Sequence, residues 1–176
     1  MRFHFLPLTF CLCVVLISGC GYTTGNLLPS NYRAISVEQF KNKVGYLNEN
    51  VRGLYIPLLE NKAHDAVVSR FQIDGHLKIT NSDLANLVLK GDLIGFDREE
   101  LRLTDNQDVQ EYRIRVTVSL TLIDPLLAEP LWVEPSFSGE ATYYTTGPKA
   151  KSESVALEDA LTDLSRRIVE RTLENW

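Results

Sequence analysis

The chain has 176 residues, with 23 Asp+Glu against 18 Lys+Arg and a formal net charge of −5. A mildly acidic chain is a poor candidate for sequence-independent nucleic-acid binding, which requires a cationic footprint. The three cysteines are Cys11, Cys13 and Cys20, so the chain beyond them can form neither an internal disulfide nor a thiolate metal site and must be stable through its core.

Phe3 to Ile17 is almost uninterruptedly apolar, preceded by Arg2 and the terminal amine. A short charged region, an apolar run and then small residues make the layout of a secretory signal peptide. The run is about 15 residues long, below the roughly 20 that a helix needs to span a bilayer, and Pro7 interrupts it. Its end, Ile17-Ser18-Gly19-Cys20, resembles a lipobox. Small residues at Ser18 and Gly19 let extended backbone lie against a protease, and the Cys20 sulfur is the nucleophile that takes a diacylglycerol. The expected division is a signal peptide over residues 1–19, a lipidated N-terminus and tether over 20–33, and a single α+β domain over 34–176. Removal of the first segment takes one cation, Arg2, and no acid, so the charge moves from −5 to −6.

Residues 21–33 are rich in Gly, Pro and small polar residues, as a tether is. Ala34 to Phe40 places Ile35 and Val37 in period two and predicts a first strand; Lys41 to Gly45 follows as a polar loop. Pro57 suits the first turn of a helix, and Leu59, Ala63, Ala66, Val67 and Arg70 at three-to-four spacing predict that helix over about 57–72, ended by Asp74-Gly75. The pattern assigns no place to Asn48–Ile56. A short strand is expected at Leu77–Thr80 and a turn at Asn81–Asp83. A strand over Ala85–Phe96 follows, in which Gly91 and Gly95 indicate bulges or close packing. Residues 97–108, almost wholly polar, read as a hairpin loop.

Tyr112 to Leu122 is the strongest periodic signal. Even positions are Tyr, Ile, Val, Val, Leu and Leu, and odd positions are Arg, Arg, Thr, Ser and Thr. One face of this strand is buried and the other wet. A second strand resumes at Leu131-Trp132-Val133 and alternates through Tyr143, with Pro130 and Pro135 marking a bulge or an edge. Leu157, Leu161, Leu164 and Ile168 then form the stripe of an amphipathic helix that Ser152 or Ser154 caps. The order predicts an α+β fold: a mostly antiparallel or mixed sheet of four to five strands with two helices on one face.

Catalytic and metal motifs find little support. His64 and His76 have no second ligand at i, i+4, and no phosphate loop, GxSxG elbow or acyl-enzyme Ser-x-x-Lys occurs. Glu99-Glu100 and Glu158-Asp159 read as solvated charge. The wet face of the long strand is the candidate site. Arg113 and Arg115 project the same way about 6.6 Å apart, a spacing suited to an anion platform because guanidinium groups bind phosphate bidentately. Lys90, and also Lys78 and Arg98, join them if their strands pair alongside. The same arginines suit somewhat better a sheet surface on which they pair with Glu111 or Glu140. Trp132, Tyr143 and Tyr144 read either as packing or as a partner surface.

In this order the chain resembles the LptE family of lipopolysaccharide-assembly outer-membrane lipoproteins. The resemblance rests on Cys20-Gly21-Tyr22, on Phe40-Lys41-Asn42-Lys43 as an F-x-N stretch, and on the long strand ending in Asp124. Leu131-Trp132, then Phe137-Ser138-Gly139-Glu140-Ala141-Thr142-Tyr143, and the closing Ala160-Leu161-x-x-Leu164-Ser165-x-x-Ile168-Val169-Glu170 complete it. It implies a non-enzymatic protein that plugs a large LptD-like outer-membrane β-barrel, binds lipopolysaccharide and helps deliver it to the outer leaflet. Gly21 after the cysteine, in place of Asp, implies sorting to the outer membrane. No cofactor is expected beyond the lipid on Cys20, and Arg113, Arg115 and Lys90 become the hypothesised contacts to lipopolysaccharide phosphates. The alternative is a lipid-anchored accessory subunit of an ABC-type phospholipid or solvent transport system; a lipoprotein enzyme is the third.

Overall fold

The computed structural model describes residues 28–45 and 56–174. The expected signal segment, Cys20, most of the tether and nearly all of Asn48–Ile56 lie outside these residues. The described chain runs β1 (Ala34–Val37), β2 (Lys41–Asn42), α1 (Leu59–Asp74), β3 (Lys78–Ile79), a 3-10 turn at Ser82–Leu84, β4 (Leu87–Leu103), β5 (Val109–Ile123), β6 (Trp132–Tyr144) and α2 (Glu153–Glu174).

The strands form one mixed sheet in the order β3-β1-β4-β5-β6, with β2 also paired to β4. β1 lies parallel to β3 and β4, whereas β4–β5 and β5–β6 are antiparallel. The alternation of β5 is realised along its length: Ile114, Val116, Val118, Leu120 and Leu122 are buried. They share their face with Leu89, Leu93 and Phe96 of β4, through the pairs Leu89↔Leu122, Leu93↔Val118 and Phe96↔Val116. Both helices cover that face. α1 contributes Leu59, Ala63, Val67 and Phe71 to the core, and α2 contributes Leu157, Leu161, Leu164 and Ile168.

Two glycines set the fit. A β-carbon on Gly91 would lie 2.5 Å from Cε1 of Phe40, and one on Gly139 would lie 2.4 Å from the backbone nitrogen of Leu164. Gly91 thus seats a ring on β4, and Gly139 lets the α2 backbone lie directly on β6. Gly95 marks the other expected irregularity, a register shift between Leu93 and Gly95.

The structure departs from the sequence pattern in three places. Lys41–Asn42, expected as loop, pairs with Asp92 and Leu93 as the short β2. Pro57 does not open α1; Leu58 takes a left-handed φ of 57° and the helix begins at Leu59. The Leu58 carbonyl accepts from the N–H groups of both Asn61 and Lys62 at 3.1 Å, so two of the first-turn donors are satisfied without a capping side chain. Residues 97–103 continue β4 rather than forming a loop, and only Thr104–Asp108 turns. This part of β4 is exposed, so no apolar face is selected and the alternation that betrays a strand is missing. The turn closes through Thr104, whose N–H donates to the Asp108 carbonyl at 2.8 Å and whose hydroxyl accepts the Asp108 N–H at 3.1 Å.

At the other end of β5, Asp124 is buried. Its carboxylate accepts the Tyr32 hydroxyl and the Leu126 N–H, both at 2.9 Å. Turn and entry segment are thereby tied together, as an Asx turn allows. α2 is capped by Ser152, whose hydroxyl accepts from the Val155 N–H and whose carbonyl accepts from the Ala156 N–H.

Candidate functional site

With its apolar face used up by helices, the sheet turns a polar face outward. Cross-strand register places Asp97 and Glu99 of β4, Arg115 and Arg113 of β5, and Glu140 and Thr142 of β6 in two adjacent rows: Asp97–Arg115–Glu140 and Glu99–Arg113–Thr142. Arg115 donates through Nε to Glu140 at 2.7 Å. Arg113 reaches Glu99 at 3.3 Å and Glu140 at 3.5 Å. Glu140 therefore bridges both arginines, and its hydrogen bond makes the Arg115 guanidinium hold its proton more firmly than usual. Two cations meet three carboxylates here, so this part of the face is charge-compensated rather than cationic.

Lys90 lies on the same face, opposite Thr121. Thr121 is six residues along β5 from Arg115, roughly 20 Å, so Lys90 belongs to a separate patch. Its ammonium lies 3.4 Å from Glu38. Together with Lys41, Lys43, Asp92, Ser119 and Thr121 it lines a groove of about 180 Å³, in which Lys43 pairs with Asp92 at 2.7 Å. Lys41 and Lys43 escape the sequence reading because β2 is two residues long, ends before Lys43 and carries no periodicity. Their place in the F-x-N stretch is the one signal pointing to them.

Neither other cation joins the arginines. Arg98 pairs in register with buried Ile114 and so lies on the helix-covered side. There it bonds Glu153 at 2.7 Å and stacks 5.1 Å from the Tyr112 ring centroid. Lys78 sits on β3, separated from β4 by β1. Of the two acids considered as partners for the arginines, Glu140 takes the role, while Glu111 lies 3.7 Å from Arg102.

The aromatic residues mostly pack. Trp132 is buried under Arg171, whose guanidinium carbon stands 4.8 Å from its ring centroid. Tyr143 is buried and stacks on Tyr112 at 5.5 Å; Tyr144 is half-buried. The histidines serve locally. His64 bonds Asp65 at 2.9 Å and meets Phe40 edge-on, and His76 bonds Asp74 at 2.7 Å.

A family model described as lipopolysaccharide-assembly, LptE, matches residues 32–172, the whole span from Tyr32 through the sheet to the last turn of α2. The chain belongs to the LptE family. Three solved structures share the fold at low identity. Protein XCC0632 from Xanthomonas campestris superposes with a TM-score of 0.56 at 14% identity, over 82% of this chain and 88% of that one. The hypothetical protein CT253 from Chlamydia trachomatis gives 0.55 at 12%, over 80% and 95%. A PelC dodecamer subunit from Paraburkholderia phytofirmans gives 0.52 at 14%, over 85% and 96%. No curated protein matches. This LptE-family domain thus presents an outward sheet face on which Arg113, Arg115, Lys43 and Lys90 are each paired with a carboxylate, and a second face that the helices bury as far as Phe96 on β4.

Proposed function

We propose that this LptE-family chain is an outer-membrane lipoprotein, held at the periplasmic face through a lipid on Cys20. It assembles with and plugs the large LptD-like barrel that inserts lipopolysaccharide, and helps pass lipopolysaccharide to the outer leaflet without catalysing a reaction. The family match over residues 32–172 carries the reading.

The character of the sheet face supports it. A barrel lumen is polar, and a plug must enter it without stranding charge, since an unpaired buried charge is strongly unfavourable. Arg113, Arg115, Lys43 and Lys90 each bring a carboxylate with them, and Thr117, Ser119 and Thr121 between them offer hydroxyls that donate or accept. Contact of lipopolysaccharide phosphates with Arg113, Arg115 and Lys90 belongs to the same proposal. It requires a phosphate to take the place of Glu140, Glu99 and Glu38.

The test is purification of the tagged full-length protein from detergent-solubilised membranes. Recovery of a large outer-membrane β-barrel supports the proposal; recovery of an inner-membrane transporter complex would sink it. Acyl labelling that fails on the native chain, or that persists in Cys20→Ala, would remove the anchor.

A further inference from the structure

Three segments meet at the end of the sheet where the described chain begins. The Lys78 N–H donates to the Arg33 carbonyl at 2.9 Å, which sets the end of α1 beside the entry segment. The Asn86 N–H donates to the Ala34 carbonyl at 3.0 Å, which brings in the 3-10 turn. The Tyr32 hydroxyl donates to Asp124 at 2.9 Å, which brings in the β5–β6 loop. Each segment projects one bare apolar side chain: Ile73 is 76% exposed, Leu84 75% and Leu126 93%. These are the three most exposed large apolar residues among those described, and Leu127, at 51%, stands beside them. Leu84 and Leu126 share a shallow groove of about 640 Å³ with Tyr32 and Pro125. Single exposed leucines are ordinary, but their convergence from separate segments marks an interaction surface.

The chain outside the structure indicates what meets that surface. Leu28 follows Cys20 by eight residues, and eight residues span at most about 29 Å on any path. A lipid on Cys20 therefore holds this end next to a bilayer. The opposite end, the β4–β5 turn, lies about 45 Å away along β5 and carries Glu99, Glu100, Asp105 and Asp108. At the near end Asp83 and Glu129 are exposed, while two further acids are held by partners. Asp74 bonds His76 at 2.7 Å, and Asp124 accepts from Tyr32 and Leu126. Arg33 is exposed there, with its Nε 3.5 Å from the Ser30 carbonyl, a cation suited to a phospholipid phosphate.

We propose that this end is a membrane-contact surface of the lipoprotein before it joins a barrel. Ile73, Leu84, Leu126 and Leu127 enter the headgroup–acyl boundary of the phospholipid leaflet that holds the anchor. The inference rests on the proposed lipidation of Cys20. The experiment uses the acylated full-length protein bearing an environment-sensitive fluorophore on Leu126→Cys, with Ile73→Cys as a second position and Leu103→Cys as the far-end control. Cys20 is blocked by its lipid, so labelling is specific. On vesicles of phosphatidylethanolamine with a minor share of phosphatidylglycerol, the labels at 126 and 73 shift to the blue. Brominated acyl chains quench them, and they lose quenching by aqueous iodide, while the label at 103 does none of this. A protein that floats with the vesicles yet keeps the label at 126 as open to iodide as that at 103 overturns the contact and leaves the anchor standing. One that does not float overturns both. Concentration-dependent shielding of position 126 without lipid assigns the surface to a second copy and also overturns the proposal.

Discussion

The Asp163 carboxylate on α2 accepts the backbone N–H of Glu140 on β6 at 3.1 Å. One helical turn on, Arg167 donates to the Ser138 carbonyl and lays its guanidinium 5.2 Å from the Phe137 ring centroid. Strand β6 closes one side of the sheet, and its free edge is where an unprotected strand would pair with another chain. The helix that packs on the face also blunts the edge, and Lys151 continues the cover by donating its N–H to the Tyr144 carbonyl at 3.2 Å.

Asp163→Ala with Arg167→Ala therefore acts on solubility as well as on stability. Each lost bond costs about 1–3 kcal/mol where it leaves a desolvated backbone group unpaired. The double variant is expected to unfold at lower denaturant and to self-associate with concentration, read by light scattering. A variant that stays monomeric with an unmoved midpoint would show that water serves these groups as well.

Gly139 carries a second prediction. Its missing side chain is what allows the backbone of Ala160 and Leu164 to rest on β6, and an added β-carbon would stand 2.4 to 2.5 Å from backbone atoms of both residues. Backbone cannot swing aside as a flexible side-chain tip can. Gly139→Ala is expected to cost about 2–3 kcal/mol by forcing the helix outward, measured by urea unfolding. Gly45→Ala, where a β-carbon meets nothing within 4 Å, is the control.

Alkaline pH should weaken the fold through Tyr143. Burial, then the neighbouring Glu153 carboxylate, pushes its hydroxyl from 10.0 up to about 12. The hydroxyl donates to Glu153 at 3.2 Å, and Arg98 bonds the same oxygen of that carboxylate at 2.7 Å. Between the two values the folded chain keeps a proton that the unfolded chain has released, so stability falls as pH rises. The contribution is whole below about pH 10 and is lost as pH passes about 12, on the order of 2 kcal/mol in total. Tyr143→Phe should flatten this part of the stability–pH curve; an unchanged slope would assign the alkaline loss elsewhere.

The arginine pair can be tested with opposite signs. If phosphate contacts Arg113 and Arg115, then Arg113→Ala with Arg115→Ala weakens lipopolysaccharide binding by about tenfold, less so at high salt. Glu140→Gln, which removes the carboxylate shared by both arginines, should strengthen binding. Equal affinity in both variants rejects the contact.

Much of the fold is legible in the residues themselves. Six apolar positions alternating with five polar ones from Tyr112 to Leu122 define β5, and the Leu157–Ile168 stripe defines the closing helix, because each must bury one face and expose the other. Gly91 and Gly95 announce a close approach and a bulge, and the structure holds one of each. The hairpin arm at residues 97–103 is not legible. A ribbon wet on both faces has no hydrophobic period, and its cross-strand pairs Glu99–Arg113 and Arg102–Glu111 exist only once the register is set.

The candidate site divides in the same way. Sequence by itself determined that Arg113 and Arg115 share the wet face, since side chains on a strand alternate, and it supplied the order of motifs that marks the LptE family. Only the tertiary structure decided that Arg98 lies on the opposite face, because the bulge at Leu93/Gly95 shifts the register of β4. It alone joined Arg113 and Arg115 through Glu140, a residue 25 positions from Arg115, and gathered Ile73, Leu84 and Leu126 at one end. Such meetings depend on strand order and register, which are set by how the whole sheet closes over its core and not by any local run of residues.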